Sequence, residues 1–237
     1  MLRCNSATSG SVIKRLEGIF EYIFVDEVQD MSGYDLDLLQ LLFESRITLV
    51  GVGDPRQWIY STNNSSRHKK YRGSEISKWF DHMKSSGLCE LIHHNECYRC
   101  NQVICDFADA LYPSFVPTVS KYTDLTGHDG VFTLRSSDLG NYMMRFAPTI
   151  LCYDKNAETY GHSALNFGQA KGMTYERVVI CPTGPIRAFL EGGDAQALKD
   201  ISRAKLYVAI TRAKSSVAFI YDGRKNVVIP EFISDVE

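Results

Sequence analysis

A short apolar run, Tyr22-Ile23-Phe24-Val25, ends abruptly in Asp26-Glu27-Val28-Gln29-Asp30. A strand ending in adjacent carboxylates sets them at the carboxyl edge of a sheet, where open α/β folds bind ligands. There Asp26 could hold Mg²⁺, usually through water, and Glu27 could activate a water for attack on a phosphate. A second run, Ile47 to Val52, ends in Gly53-Asp54-Pro55-Arg56-Gln57. The uncharged amide of Gln57 at such an edge can orient a water or sense a γ-phosphate. Each segment alone has a bland alternative, a solvated acidic turn or a Gly-Asp-Pro turn. Arg67-His68-Lys69-Lys70-Tyr71-Arg72 gathers basic side chains around a tyrosine. After the Ser/Thr/Asn stretch from Ser61 to Ser66, composition alone favours a solvated polar loop there. Cys89, His93, His94, Cys97 and Cys100 offer zinc-ligand chemistry, with Cys97-x-x-Cys100 at ligand spacing. No second paired-cysteine knuckle follows, so zinc is not expected.

Holding the carboxylates at sheet edges requires parallel strands alternating with helices, and the chain reads that way. Tyr22 to Val25 is continuously apolar, as in a parallel-sheet strand buried on both faces. Leu36, Leu38, Leu39, Leu41, Leu42 and Phe43 then form a helical face. Asn101 to Tyr112 carries Val103, Ile104, Phe107, Ala108 and Leu111 at helical spacing, with Pro113 beyond. Further strands are predicted at Val131 to Leu134, Thr149 to Tyr153, Arg177 to Cys181 and Ser216 to Tyr221. A helix is predicted over Asp194 to Thr211. The fold class is α/β, with one domain over 1–94 and a second over 95–237.

The 237 residues carry a formal charge of −2, so bulk electrostatics do not argue for nucleic-acid binding and any such contact must be local. No apolar stretch is long enough for a membrane span, and the N-terminus has no apolar signal core. Seven scattered cysteines suit a reducing, cytoplasmic setting.

In order along the chain these segments resemble the motifs of superfamily 1 DNA helicases, the UvrD, Rep and PcrA group. Asp26 to Asp30 resembles motif II and Gly53 to Tyr60 motif III. Asn95-Glu96-Cys97-Tyr98-Arg99-Cys100 is similar to motif IV, Gln169 to Val178 to motif V, and Tyr207 to Lys214 to motif VI. The resemblance implies RecA-like parallel sheets, a truncated first domain and a complete second one. It further implies ATP and Mg²⁺ as cofactors, and single-stranded or partly duplex DNA as partner. It assigns the metal to Asp26, the catalytic base to Glu27 and the link from γ-phosphate to nucleic acid to Gln57. Tyr98 would stack on adenine, Gly172 would lie at the nucleotide, and Arg99 and Arg212 would reach the γ-phosphate. Trp58, Tyr60 and Tyr71 are the base-stacking candidates, with Lys69, Lys70 and Arg72 contacting phosphates. The family's aromatic-Arg-Gly step after motif III is matched by Tyr71-Arg72-Gly73, displaced by the stretch Ser61 to Lys70.

The sequence also departs from the family. A Walker A loop needs Gly-Lys, and no glycine here is followed by lysine. Thr174 stands where the family often has an acid, and Gly168 where it often has histidine. The expectation is a motor portion completed by a Walker A-bearing half or second chain, with the first domain self-associating or requiring a partner. The rival reading is a non-catalytic module, derived from a helicase, that docks on nucleic acid or protein.

Overall fold

The computed structural model describes residues 1–62 and 65–233, and the chain divides into two compact units, Met1–His93 and His94–Glu237. The first unit opens with helices α1 (Leu2–Ala7) and α2 (Ser11–Glu17). Strand β1 (Tyr22–Val25), helix α3 (Tyr34–Phe43) and strand β2 (Thr48–Gly51) follow as a parallel strand–helix–strand unit, and helix α4 (Ile76–Ser85) closes the unit. The strands pair in register from Tyr22 opposite Thr48 to Val25 opposite Gly51. Helix α3 buries Leu36, Leu39 and Leu42, one residue per turn, and carries Asp35 and Asp37 in its first turn, where acids complement the helix dipole. Helix α4 adds Ile76, Trp79 and Met83 to the same core. Burying each such large side chain contributes roughly 1.5–3 kcal/mol.

Strand β1 does not have the two buried faces that its apolar run predicts. Ile23 and Val25 turn toward the helices, whereas Tyr22 and Phe24 are 57% and 75% exposed. Val50 and Val52 are exposed as well. An unbroken apolar run does not say how many faces are covered, and the helices of this unit cover one.

The second unit contains β3 (Glu96–Cys97), α5 (Gln102–Asp109), β4 (Val119–Ser120), β5 (Gly130–Leu134), α6 (Leu139–Phe146), β6 (Thr149–Cys152) and β7 (Leu165–Asn166). It continues with β8 (Tyr175–Cys181), α7 (Gly184–Leu190), α8 (Asp200–Ile210) and β9 (Ala213–Ile220). Five strands form an all-parallel sheet in the order β5-β9-β8-β6-β7, and β3 pairs with β4 alone. The central strands are buried on both faces, as parallel sheets require. One face packs on Ile104, Ile186, Leu190, Leu206 and Ile210, and the other on Leu139 and Tyr142.

Helix α5 begins one residue after the predicted Asn101, because Asn101 is its cap. The Asn101 side chain accepts from the Ile104 amide (3.1 Å) and donates to the Ser215 carbonyl (2.6 Å). The predicted helix over Asp194 to Thr211 is broken at Leu198, with a single turn over Ala195–Ala197 before α8 starts. Beyond β9 the chain doubles back along the outer edge of β5. The Thr133 amide donates to the Pro230 carbonyl (2.8 Å) and the Phe232 amide to the Thr133 carbonyl (2.7 Å). Among the described residues, no helix is long and apolar enough to cross a membrane.

Candidate functional site

The acidic turn leaves β1 directly. The Val52 amide donates to the Val25 carbonyl (2.9 Å) and the Val28 amide to the Val52 carbonyl (3.0 Å), so the β1 and β2 exits stay paired. Asp26 is exposed, and its Oδ1 accepts from the Glu27 amide at 2.8 Å. Glu27 is half-buried with φ 54° and ψ 42°, a left-handed conformation costing a side-chain-bearing residue roughly 1–2 kcal/mol. Strain of this kind persists only where surrounding contacts enforce it.

The enforcing contact is Gln29, which is 1% exposed. Its Nε2 donates to Glu27 Oε2, and its Oε1 accepts from the Asp54 amide at 3.1 Å. One buried amide thus ties the turn after β1 to the turn after β2. Gly53 leaves room for it: a Cβ there would lie 2.2 Å from Gln29 Oε1. Asp54 organises the second turn. It accepts from the Arg56 amide (3.0 Å), from Arg56 Nε (2.9 Å) and Nη2 (3.2 Å), and from Gln57 Nε2 (3.2 Å). Asp26, Glu27 and Gln57 therefore sit on two linked turns at one sheet edge. The exposed oxygens of Asp26 suit a hard cation held through water.

The aromatic and basic candidates divide. Tyr60 is exposed, while Trp58 is half-buried and packs on Gly73, where a Cβ would meet its ring at 3.1 Å. Tyr71 packs against the α3–α4 core, with the Lys70 ammonium 4.8 Å from its ring centre. Lys69 and Lys70 are exposed, and Arg72 donates to the Ser65 carbonyl. Arg67 and His68 are drawn onto Asp37 in the first turn of α3, with Arg67 Nη2 and His68 Nε2 each 2.8 Å from Oδ1. Partial burial opposes ionisation of Asp37, but hydrogen bonds from Arg67 and His68 outweigh it and hold the carboxyl below its ordinary value. The basic loop is thus pinned at Asp37, leaving Lys69 and Lys70 exposed. Asn63 and Asn64, within the polar stretch before it, lie outside the described residues.

In the second unit, Tyr98 is 73% exposed and its hydroxyl donates to Glu96 Oε2 (2.8 Å). Arg99 Nη1 donates to the Thr211 carbonyl at 3.2 Å. Arg212 is 2% exposed. Its guanidinium donates to the carbonyls of Val208 (3.2 Å) and Met173 (3.3 Å) and to Thr211 Oγ1 (3.3 Å). Pairing of β8 with β9 continues past the strand ends, with the Tyr175 amide on the Arg212 carbonyl at 2.8 Å. The segments holding Arg99, Met173 and Arg212 thereby converge on Thr211, which the sequence reading did not single out. Gly172 is exposed in the left-handed region at φ +82°, beside Met173. Among the described residues, no group of three or more His, Cys, Asp or Glu side chains is placed to hold a metal ion.

Parallel strands ending in linked acidic and amide-bearing turns, followed by a five-stranded parallel sheet, define an α/β protein of the RecA-like kind. Residues 2–73 match the model of the UvrD/REP helicase N-terminal domain. No curated protein matches the chain. Among solved structures, the helicase of PRRSV aligns over 85% of this chain and 35% of its own, at 20% identity and a TM-score of 0.51, which shows a shared fold. Arterivirus nonstructural protein 10 (helicase) aligns over 85% of this chain and 39% of its own at 19% identity, with a TM-score of 0.49. The same viral protein in complex with DNA gives 19% identity and a TM-score of 0.47 over the same shares. The chain therefore spans less than two fifths of the length of these helicases.

Proposed function

We propose that this chain is motor machinery of a DNA helicase, coupling ATP hydrolysis to movement along, or unwinding of, single-stranded or partly duplex DNA. The observation that carries the reading is the Asp26–Glu27 pair, which leaves a parallel strand in a strained turn within the segment matching the UvrD/REP family. Asp26 would hold Mg²⁺ through water, and Glu27, kept in place by Gln29, would take the proton of the attacking water. Gln57 would report the state of the γ-phosphate. Tyr98 offers an exposed ring for adenine, Gly172 would lie at the nucleotide, and the guanidinium of Arg99 would neutralise developing phosphate charge. Tyr60 and Trp58 would stack on bases, with Lys69 and Lys70 on phosphates. With no Gly-Lys step in the sequence, gripping of the phosphates falls to a Walker A-bearing polypeptide.

A second reading is favoured by Arg212. A guanidinium 2% exposed and engaged with carbonyls of its own unit serves the fold as it stands, which suits a non-catalytic docking module. The deciding experiment is ATP turnover with single-stranded DNA, using the chain alone and with a Walker A-bearing helicase half added. The motor reading expects turnover that falls on the order of 10²–10⁴-fold in Glu27→Gln. Intact folding and DNA binding with no Glu27-dependent turnover in either mixture would establish the docking module instead.

A further inference from the structure

Cysteines stand at both ends of the Tyr98-Arg99 pair, and they are not isolated from each other. Cys97 ends β3 and is half-buried; Cys100 lies just before the cap of α5, and Cys105 one turn further on, both buried. The Cys100 amide donates to Cys97 Sγ at 3.4 Å. The Cys100 thiol lies 3.5 Å from the Thr211 carbonyl, and the Cys105 thiol 3.8 Å from the Cys100 carbonyl. All seven cysteines of the chain are free thiols. A half-buried sulfur that receives an amide hydrogen and is followed three residues later by a second thiol is in the Cys-x-x-Cys setting that favours thiolate at the first position. Hydrogen bonds from the Cys100 and Cys105 thiols, and from the Cys100 amide, hold Cys97 far below an ordinary thiol, while Cys100 is pushed up to about 12.

We propose that Cys97 and Cys100 form a dithiol exchange site for low-molecular-weight disulfides, with Cys97 as the attacking sulfur and Cys100 as the resolving one. The Cys97 thiolate attacks one sulfur of the small disulfide; the sulfur–sulfur bond breaks and the first thiolate departs with its electron pair. Cys100 passes its proton to that departing thiolate and attacks the Cys97 sulfur, expelling the second thiolate, which takes a proton from water. The protein loses two hydrogens in total, and the disulfide is reduced to two thiols. The exchange itself does not depend on any helicase role.

The reduced chain is incubated with oxidised glutathione, quenched in acid and peptide-mapped without reductant. The expected products are a Cys97–Cys100 bridge in the wild type, stable glutathione on Cys97 in Cys100→Ser, and unmodified Cys100 in Cys97→Ser. A Cys97–Cys105 bridge, or glutathione on exposed Cys4 with Cys97 untouched, would overturn the assignment. Competitive alkylation of the wild type at mildly acidic pH needs no variant: Cys97 should react on the order of ten-fold faster than Cys4. Equal or slower reaction of Cys97 sinks the proposal.

Discussion

A buried side-chain amide helps to hold together two turns whose linked residues, Gln29 and Asp54, lie 25 positions apart. Replacing Gln29 with Leu keeps the volume but removes the acceptor that the Asp54 amide uses, so a loss of about 1–3 kcal/mol is expected. Both tryptophans, Trp58 and Trp79, lie in the first unit, so tryptophan fluorescence in a denaturant titration reads this loss where it occurs. Gly53→Ala should cost at least as much, because its Cβ would drive Gln29 from its seat. The left-handed backbone of Glu27 gives a second test by the same measurement. Glu27→Gly should be more stable than Glu27→Ala by about 1 kcal/mol, since only glycine adopts that conformation without strain. At this scale the sequence was legible in part. Asp26 and Glu27 announce themselves as acids that end an apolar run. The bracing by Gln29 and the convergence on Thr211 depend on hydrogen bonds between residues remote in sequence, which no local pattern records.

At the scale of elements, long strands and helices were readable, because burial imposes a period over enough residues to be seen. The two-residue strands β3, β4 and β7 carry no period and left no trace. The break at Leu198 was missed for a related reason, since the residues on either side are compatible with helix. The part that one histidine plays in the packing between β5 and α6 was likewise invisible. His128 is stacked between Phe132 (4.7 Å between ring centres) and Phe146 (4.1 Å), and its Nε2 lies 2.8 Å from the Tyr142 hydroxyl. Burial first, then the neighbouring Arg177 and Arg145, lower its pKa from the ordinary 6.5. The unfolded chain therefore binds the proton more readily than the folded one. Stability from this ring is complete above pH 6.5 and declines as pH falls from there through the lower folded value. Melting temperatures measured between about pH 5 and 8 should show this slope, and His128→Phe should flatten it.

At the scale of the molecule, the outward face of the small β1–β2 sheet stands out. Parallel sheets are ordinarily covered on both faces, yet Tyr22, Phe24, Val50 and Val52 are exposed together. Self-association through this face is expected, and Phe24→Thr should shift sedimentation velocity profiles toward monomer. Identical profiles for wild type and variant would show that the face is not adhesive. A continuous apolar run suggested a strand sealed on both sides; the tertiary context overruled it. Whether such a run is sealed depends on how many layers lie against it, which is a property of the whole assembly and not of four residues.

The return of the C-terminal segment along β5 has one more consequence. By supplying Pro230 and Phe232 to Thr133, the protein occupies its own lateral row of peptide groups, which would otherwise be a template for foreign strands. Proteolytic clipping after Tyr221 should therefore do more than shorten the chain: it would uncap that row and turn a discrete particle into a seed for fibrous growth.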